Sequence, residues 1–370
     1  MKKEKILFML TYMNLGGTEK AFLNLLDEIN PQEYEVTLLL LEKKGELMNS
    51  IPEWVEVKVL DNYDTLKPLI MDPPLQLVKQ NLSKMKIIKA FGLAFWHLFF
   101  KLTNDRSGYY RFILKDSPIR KENYDTVIAY AGPMDFISQY VIDKITAKRK
   151  VQWIHFDVSQ CGFNIKFSQR LYPKFDNICV VSETAKEELI KRVPAIKGKT
   201  SVVHNTVSKI KCMEQAESGS GFEDQFEGIR ILTVGRLSEE KGQDIVPEIV
   251  KKLKKSGQNI KWYLLGCGNL EKQIQGKIQE YNLQEKLILL GKKLNPYPFY
   301  KECDIYVQTS RHEGFCITVA EAKAFDLPII ATDVVGVRDQ LKQENEIVVP
   351  RDVESMYQEI VKMINRLKGN

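Results

Sequence analysis

The sequence lacks the patterns that mark several common protein classes. No apolar stretch reaches the ~18 residues that a membrane-spanning helix needs. The Gly-x-Gly-x-x-Gly fingerprint of dinucleotide-binding folds is also absent. There is no Cys-x-x-Cys pair and no Cys/His set at zinc-ligand spacing, so the scattered cysteines are expected to be free thiols in a reducing compartment. They are Cys161, Cys179, Cys212, Cys267, Cys303 and Cys316.

Length and composition describe ordinary globular material. The chain has 370 residues, which predicts two domains of usual size, with 44% hydrophobic and 28% charged residues. The net charge of +6 permits binding to anionic lipids, sugar nucleotides or nucleic acid. Nucleic acid is not expected, because the basic residues do not form one stripe with interleaved aromatic residues. The apolar run from Ile6 to Leu10 is too short for a signal peptide and predicts a first β-strand.

The stretch over residues 304–325 carries the most chemistry. It predicts a buried strand over Ile305–Gln308, then a polar turn, then a helix from about Cys316. A helix N-terminus attracts anions, whereas carboxylates accept hydrogen bonds from hydroxyl groups. Glu313 lies in the turn and Glu321 lies in the new helix. The local chemistry therefore predicts a ligand that carries both phosphate and several hydroxyl groups.

The same stretch carries a family resemblance. Glu313 and Glu321 with seven residues between them, set in Ser-Arg-His-Glu-Gly-Phe, resemble the Glu-x7-Glu signature of retaining glycosyltransferases of family 4. The resemblance implies an α/β protein with the GT-B fold, in which two Rossmann-like domains face each other across a cleft. It also implies that Glu313 orients the donor sugar and that Glu321 binds the ribose. The donor diphosphate would bind the backbone at the helix start, formed by Gly314, Phe315, Cys316, Ile317 and Thr318.

A second motif follows the strand predicted over Ile229–Val234. Gly235-Arg-Leu-Ser-Glu-Glu-Lys-Gly places Arg236 and Lys241 on a strand-to-helix turn, where fixed positive charge suits a departing diphosphate. A basic turn alone is more often merely solvated. This one resembles the diphosphate-clamping motif of GT-B transferases almost residue for residue. The resemblance further implies that later loops shape the nucleotide pocket through Gly266, Gly291 and Lys292.

Two segments of the first half resemble the family as well. Gly16, Gly17 and Glu19 match a Gly-Gly-x-Glu turn that family members place between donor phosphate and acceptor. By themselves these glycines indicate a plain tight turn equally well. The segment Trp-Ile-His-Phe-Asp follows an apolar strand and resembles the one that presents a histidine to the donor sugar. The resemblance implies sugar binding by His155 and an acceptor-side role for Asp157.

Residues 62–122 break the alternation of strands and helices and do not match the family. Within them, residues 84–101 predict an aromatic-rich helix bordered by cations. Two interpretations stay open: contact with an anionic membrane through residues 84–111, or an inserted helix pair packed on the first domain. Both hold together if the basic residues lie at the rim and the aromatic side chains turn inward. For membrane contact the hypothesis names Phe95, Trp96 and Phe99. The apolar positions at helical spacing are Ile88, Phe91, Phe95, Leu98 and Leu102.

The polar, Gly/Ser-rich segment before residue 229 is the clearest boundary in the chain. His204 and Asn205 are interpreted as hinge residues. By the resemblance, the last helix is expected to cross back to the first domain. The predicted organisation is an acceptor-side domain over 1–205, a linker over 206–228, a nucleotide-sugar-binding domain over 229–352, and a crossing helix over 353–370.

The motifs together predict transfer of a sugar from a nucleoside diphosphate sugar, expected to be a UDP-sugar, with retention of anomeric configuration. The residues assigned to catalysis are His155, Arg236, Lys241 and Glu313. The family is thought to use the leaving phosphate as the base, so no protein base is assigned. Asp-x-Asp, the usual metal carrier of the other glycosyltransferase architecture, is absent. Since Arg236 and Lys241 can meet the leaving-group charge, no metal or other cofactor is expected.

The expected acceptor is a saccharide, lipid-linked, as in bacterial capsule or exopolysaccharide assembly, at the cytoplasmic face of a membrane. A glycosidase with two catalytic glutamates is not favoured, because the cationic turn has no role in hydrolysis of a neutral glycoside. Two alternatives stay open. A GT-B epimerase would turn over a UDP-sugar without an acceptor, and a regulator would bind it without transfer.

Overall fold

Short apolar runs that end in glycine or polar turns form the strands of two parallel sheets. The computed structural model describes residues 2–159 and 162–369, and its chain divides into two compact units, residues 1–204 and 205–370. Each unit alternates strands with helices around its own sheet. The α/β prediction is therefore confirmed.

Seven strands form the sheet of the first unit: β1 (Glu4–Leu10), β2 (Tyr34–Leu40), β3 (Glu56–Val59), β4 (Arg120–Gly132), β5 (Ile145–Ile154), β6 (Asn177–Val180) and β7 (Thr200–Val202). Their order is β3-β2-β1-β4-β5-β6-β7, and every pair is parallel. Strands β1 to β3 are added toward one edge of the sheet and β4 to β7 toward the other, so the strand order reverses between β1 and β4. Ligands of open α/β sheets bind at the carboxyl ends of the strands at such a switch point.

Eight helices belong to this unit in its described residues: α1 (Gly17–Glu28), α2 (Tyr63–Met71), α3 (Pro74–Ser83), α4 (Ile87–Thr103), α5 (Ser107–Ile113), α6 (Asp135–Lys144), α7 (Ile165–Leu171) and α8 (Glu183–Arg192). Four of them, α2 to α5, fill the segment that breaks the alternation of strands and helices. The inward-facing interpretation of the aromatic row in α4 is wrong, because Phe91 and Phe95 are exposed.

The second unit contains a six-stranded parallel sheet: β8 (Ile229–Val234), β9 (Ile260–Leu265), β10 (Leu287–Gly291), β11 (Ile305–Gln308), β12 (Ile329–Thr332) and β13 (Glu346–Val349). The order is β10-β9-β8-β11-β12-β13, with the switch point between β8 and β11. Apolar side chains from both faces are buried against the helices, and Trp262 in β9 is fully enclosed. The helices are α9 (Lys209–Glu217), α10 (Val246–Lys255), α11 (Glu271–Glu280), α12 (Tyr297–Glu302), α13 (Ile317–Ala324) and α14 (Val353–Gly369).

Most of the predicted linker is a packed part of the second unit, which corrects the interpretation of 206–228 as a spacer. Helix α9 packs on α12 and α13 and buries Cys212 and Ala216. Beyond it, the Asp224 carboxylate accepts hydrogen bonds from the Tyr263 hydroxyl at 2.8 Å and from Lys261 at 2.7 Å. The Arg230 guanidinium lies 3.1 Å from the same carboxylate. These contacts fasten the segment to β8 and β9.

The last helix, α14, has its apolar face buried in the core of the second unit. Met356, Ile360, Met363 and Ile364 pack there against α10 and the strands. Leu367, three residues after Ile364 in the same helix, is partly exposed. That α14 also crosses back to the first unit stays a prediction.

Five cysteines lie in the described residues and all five are free thiols, whereas Cys161 lies outside them.

Of the helices in the described segments, none has both the length and the apolar character that crossing a bilayer requires.

Asp224 provides a test of the fastened segment. Burial raises its pKa, but Lys261, Tyr263 and Arg230 together lower it to about 2. Because the folded pKa is depressed, the stabilisation is complete above about pH 4, near the unfolded pKa, and is lost as the pH falls toward the folded value. We expect Asp224→Asn to lower the unfolding free energy by about 1–2 kcal/mol near neutral pH, and this difference to shrink in acid.

Denaturant unfolding near neutral pH and near the folded pKa of Asp224 measures both effects. The matched control is Asp326→Asn, which removes an exposed pair with Lys209 and should change stability by less than about 0.5 kcal/mol. An Asp224→Asn difference that is the same at both pH values would contradict the assignment.

Candidate functional site

Two loops at the carboxyl edge of the second sheet bring predicted donor residues together. The first follows β8 and carries Lys241, and the second follows β11 and carries Glu313. Since β8 and β11 are adjacent at the switch point, the two loops meet there. The Lys241 Nζ atom lies 2.7 and 2.8 Å from the two carboxylate oxygens of Glu313.

Glu313 is a buried carboxylate whose two oxygens differ. Its side chain is only 7% exposed. Oε1 also accepts hydrogen bonds from the Ser310 hydroxyl at 2.6 Å and from the Gln308 amide at 3.2 Å. Within the described residues, Oε2 accepts from Lys241 alone. Because a carboxylate oxygen has two lone pairs, Oε2 keeps room for a hydroxyl donor.

The charge of Lys241 is maintained by its partner. Burial by itself would lower the pKa of Lys241, but the Glu313 carboxylate outweighs burial and the pKa is raised. The cation is therefore present at every physiological pH. A cation held in place before a ligand arrives stabilises negative charge without reorganisation.

Arg236 lies on the same turn as Lys241 but is not part of the buried pair. Its guanidinium is 66% exposed and lies 2.6 Å from the Glu240 carboxylate. Exposed pairs of this kind contribute about 0–1 kcal/mol. A diphosphate can therefore replace Glu240 at little cost. The predicted clamp thus has one partly buried cation, Lys241, whose side chain is 24% exposed, and one cation at the surface.

The predicted diphosphate-binding backbone lies at the N-terminus of α13. Cys316 precedes the helix with φ 59°, in the left-handed region, and makes no side-chain cap to any described residue. The loop after β12 packs closely on this backbone: a Cβ at Gly336 would lie 2.3 Å from the carbonyl oxygen of Gly314. The Gln340 side-chain amide donates to the Phe315 carbonyl. The positive end of α13 is thus held in place by the neighbouring loop.

Glu321, the predicted ribose ligand, is enclosed by tyrosines that the motif does not contain. It is 1% exposed and accepts hydrogen bonds from Tyr297 at 3.1 Å and Tyr300 at 3.2 Å. Burial raises the pKa of both tyrosines, so they remain donors. A ribose hydroxyl reaches Glu321 only if a neighbouring side chain moves. The signal in the sequence was the spacing of three between the tyrosines, which places them on one face of α12.

Three glycines join the ends of neighbouring strands. The Gly235 amide donates to Leu265 at 3.0 Å, and the Gly266 amide donates to Gly291 at 2.8 Å. A Cβ at Gly266 would lie 2.0 Å from the Gly235 carbonyl oxygen. This close approach excludes a larger residue at Gly266, whereas Gly235 and Gly291 adopt positive φ values of 155° and 68°, which favour glycine. Lys292, the other predicted pocket residue, is exposed.

A network that sequence reasoning missed ties the two loops together behind the ion pair. Arg311, next to the signature, donates to both Asp244 carboxylate oxygens at 2.8 Å. Arg351 reaches the same carboxylate at 3.1 Å. Burial raises the pKa of Asp244, but the arginines outweigh it and the pKa is lowered. A side-chain-to-backbone hydrogen bond adds to the network, since the Thr309 hydroxyl donates to the Lys241 carbonyl at 3.0 Å.

In the first unit, the Gly-Gly-x-Glu turn forms the start of α1. Gly16 is the N-cap and Glu19 lies in the first turn. A Cβ at Gly16 would lie 2.5 Å from Oε2 of Glu19, so the carboxylate folds back over the glycine. An acid at this position stabilises a helix start. The motif therefore has a structural function beside the acceptor-side role that the resemblance implies for Gly17 and Glu19.

His155 follows β5 and is 6% exposed. Its ring stacks on Trp153, with centroids 5.9 Å apart, and lies 4.4 Å from the Tyr130 ring. The Tyr130 backbone is nearby, but neither ring nitrogen makes a contact of hydrogen-bond geometry with any described residue. Burial lowers the pKa of His155 to about 3, so the imidazole is neutral. A buried polar ring without partners requires an explanation, and a ligand hydroxyl would supply one.

Asp157 is also buried, but its carboxylate accepts the Ser159 amide at 2.8 Å within its own loop. This contact gives Asp157 a local structural function.

Within residues 2–159 and 162–369, no three His, Cys, Asp or Glu side chains are grouped closely enough to hold a metal ion.

The family model described as Glycosyl transferases group 1 matches residues 223–367, which include both loops of the site. An uncharacterised glycosyltransferase of Methanocaldococcus jannaschii is 32% identical over 190 residues, covering 50% of this chain and 46% of the relative. A Campylobacter jejuni N-acetylgalactosamine-N,N'-diacetylbacillosaminyl-diphospho-undecaprenol 4-alpha-N-acetylgalactosaminyltransferase is 29% identical over 197 residues, which is 52% of each chain. The chain spans about half the length of these curated relatives.

Solved structures resemble nearly the whole chain. Anabaena HepE in complex with UDP and glucose superposes with a TM-score of 0.71 at 15% identity, covering 99% of this chain and 91% of that chain. The structure of TarM superposes with a TM-score of 0.67 at 13% identity, covering 99% of this chain and 92% of that chain. A complex of an S. aureus TarM mutant gives the same TM-score. At these identities the likeness shows the fold alone.

The Lys241–Glu313 pair can be tested by removing one charge and then both. Lys241→Met leaves Glu313 buried without its cation, so we expect the unfolding free energy to fall by roughly 2–4 kcal/mol. Adding Glu313→Gln removes the stranded charge, and the double variant should recover about half of that loss. Denaturant unfolding measures the wild type, Lys241→Met, Glu313→Gln and the double variant, which completes the cycle.

Lys255→Met is the control for this cycle, because Lys255 is an exposed lysine of α10. It should change the unfolding free energy by no more than about 0.5 kcal/mol. Losses in the double variant that equal the sum of the two single losses would rule out the coupling.

His155 can be tested by its titration. Because burial disfavours the imidazolium, we expect the ring to stay neutral throughout the range in which an exposed histidine titrates, about pH 5–8. The measurement is a nitrogen NMR titration of ¹⁵N-histidine-labelled protein, with His155→Gln to assign the resonance. A midpoint inside that range for the assigned resonance would show that the ring is solvated.

Proposed function

We propose, on the premise that residues 223–367 belong to the glycosyl transferases group 1 family and that the chain has the GT-B fold, that the protein transfers a sugar from a UDP-sugar to a saccharide acceptor with retention of anomeric configuration. The feature that supports this most directly is the Lys241–Glu313 pair. It places a charged donor beside a carboxylate with a free lone pair, where one ligand can present a phosphate and a hydroxyl together.

In this proposal Lys241 binds the diphosphate of the donor, and Arg236 leaves Glu240 to join it. The backbone at the start of α13 provides further donors to the same anion. Glu313 accepts a sugar hydroxyl through Oε2. The pyrimidine base and ribose occupy the edge formed by Gly266, Gly291, Lys292 and Glu321, which is the placement that the family resemblance implies.

The chemical step breaks the bond between the anomeric carbon and the β-phosphate oxygen and forms a bond to the acceptor oxygen. The electron pair of the broken bond stays on the diphosphate, whose negative charge grows during the step. Lys241 and Arg236 stabilise that charge, so no metal is invoked. The proton of the acceptor hydroxyl passes to the departing phosphate, and the products are UDP and the extended saccharide.

His155 is assigned to the sugar. Its neutral ring and its two nitrogens, which have no hydrogen-bond partner among the described residues, support a role as donor or acceptor to a sugar hydroxyl. Gly16 and Gly17 are assigned to the donor-binding turn, and Gly17 with Glu19 and Asp157 to the acceptor side. These assignments rest on the family resemblance.

For the acceptor we propose a lipid-linked saccharide of bacterial glycan biosynthesis. The Campylobacter relative supports this class, since its name specifies a diphospho-undecaprenol-linked sugar as acceptor. The exposed apolar surface of α4 supports a location at a membrane.

The proposal predicts selective stabilisation by UDP-sugars in a thermal-shift panel that also contains GDP- and ADP-sugars. Mass spectrometry should then detect one added sugar on a lipid-linked acceptor, and NMR should show retained anomeric configuration. Lys241→Ala and Glu313→Ala should each lower the transfer rate at least about 100-fold, the scale for lost transition-state charge stabilisation. EDTA should leave the rate unchanged.

Lys255→Ala, on the same unit but away from the edge, should transfer at the wild-type rate. Unchanged transfer by Lys241→Ala or Glu313→Ala would overturn the site assignment. Turnover of a UDP-sugar without acceptor would identify an epimerase instead, and binding without any product would identify a regulator.

A further inference from the structure

Helix α4 turns a row of large apolar side chains to solvent. The row is formed by Ile88, Phe91, Phe95, Leu98 and Leu102, which are 89%, 70%, 59%, 57% and 78% exposed. Their spacing of three and four residues places them on one side of the helix. We call this row the α4 apolar face. A contiguous row of large exposed apolar side chains marks a place where another molecule binds.

The orientation of α4 is fixed by its other side. Ala90 and Leu93 are buried. Gly92 lies under the Phe112 ring, where a Cβ would meet a ring carbon at 2.3 Å, and Trp96 lies so close to Gly108 that a Cβ there would be 1.9 Å away. The apolar face therefore points outward because the opposite face is packed, and a small rotation of the helix cannot bury it.

This packing separates the three aromatic residues that the sequence hypothesis names for membrane contact, Phe95, Trp96 and Phe99. Trp96 and Phe99 are only partly exposed, and Trp96 is committed to α5. Phe95 alone of the three residues lies on the apolar face. The preceding turn extends the face, since Met85 is 82% exposed and Ile87 is 51% exposed.

The surroundings of the face are strongly cationic. Residues 73–115 contain eight lysines and arginines but a single acid, Asp105. Asp105 is buried and lies 2.7 Å from Arg170, so it is already neutralised. Lys84, Lys86 and Lys89 are exposed around the start of α4. The surface thus combines exposed Phe, Leu and Ile with uncompensated positive charge.

We propose that the α4 apolar face docks the protein on an anionic lipid surface. A helix lying in the plane of the membrane buries such side chains among the acyl chains, while lysines bind the lipid phosphates. A second copy of this chain fits less well, because two such surfaces would bring their lysines together with no acids between them. The docking is independent of the donor-site assignment, since it rests on α4 alone.

Cosedimentation of the full chain with vesicles tests the docking. We expect binding to vesicles of phosphatidylcholine with phosphatidylglycerol, and weak binding to phosphatidylcholine alone. Substituting Phe91→Ser, Phe95→Ser and Leu98→Ser together should weaken the partition at least about tenfold. Substituting Lys84→Gln, Lys86→Gln and Lys89→Gln, or raising the salt concentration, should weaken it by a similar factor.

The matched control replaces three partly or fully exposed apolar residues elsewhere, Ile119→Ser, Ile210→Ser and Leu367→Ser. It should bind vesicles as the wild type does. Circular dichroism checks that every variant is folded, which is expected because the substituted side chains are at the surface.

Three outcomes would overturn the docking. The first is a wild type that does not bind anionic vesicles. The second is a serine variant of α4 that binds as well as the control. The third is a dimer, detected by light scattering, that only the α4 variant abolishes. UDP binding measured on the same preparations separates the two proposals. Vesicle binding without UDP binding would support the docking and contradict the proposed donor site. UDP binding without vesicle binding would support the donor site and contradict the docking.

Discussion

The buried ion pair between Lys241 and Glu313 is the contact on which the edge of the second sheet depends. Neither charge is tolerated there alone, because removing one partner of a buried pair leaves the other without compensation. Together they hold the loops after β8 and β11 at a fixed separation. The same pair prepares the site for a ligand with two kinds of group. A phosphate oxygen can add to Lys241 while a hydroxyl adds to Glu313, and neither residue has to move first.

The ion pair in turn depends on residues that need not touch a ligand. Asp244 binds Arg311 on the signature loop and Arg351 near the start of α14, so one carboxylate links three parts of the unit. Gly242, with φ 67°, lets the cationic turn approach the Thr309 carbonyl, where a Cβ would lie only 2.2 Å away. A site whose supporting side chains and backbone are themselves fixed keeps its geometry without a ligand.

Much of this architecture follows from local sequence, and the exceptions have physical causes. The strands Ile229–Val234 and Ile305–Gln308 have the bounds predicted from their apolar runs, because a strand buried on both faces needs continuous apolar side chains. Helix α9 was missed since only Cys212 and Ala216 mark its buried side within a polar segment. A sequence motif also gives the residue types and their spacing, but it does not show where each side chain points. It identified Lys241 and Arg236 alike, although only Lys241 reaches Glu313, and it gave no hint of the tyrosines around Glu321.

The two units differ in how completely their polar side chains find hydrogen-bond partners and their apolar side chains are buried. This difference indicates which unit contacts which part of a ligand. In the second unit Glu313 and Glu321 already accept hydrogen bonds from neighbouring side chains. The geometry of this edge is therefore fixed before a ligand binds. The first unit has two features that local packing does not satisfy: the buried ring of His155, which has no hydrogen-bond partner in residues 2–159 and 162–369, and the exposed apolar face of α4. Sequences depart from local consistency mainly where function requires it. Helical periodicity gave the membership of the α4 face but not its direction, because the same spacing serves a core and a docking surface. Under the proposed function, the second unit binds the nucleoside diphosphate, whereas His155 and the α4 apolar face of the first unit are assigned to the donor sugar and to a lipid surface.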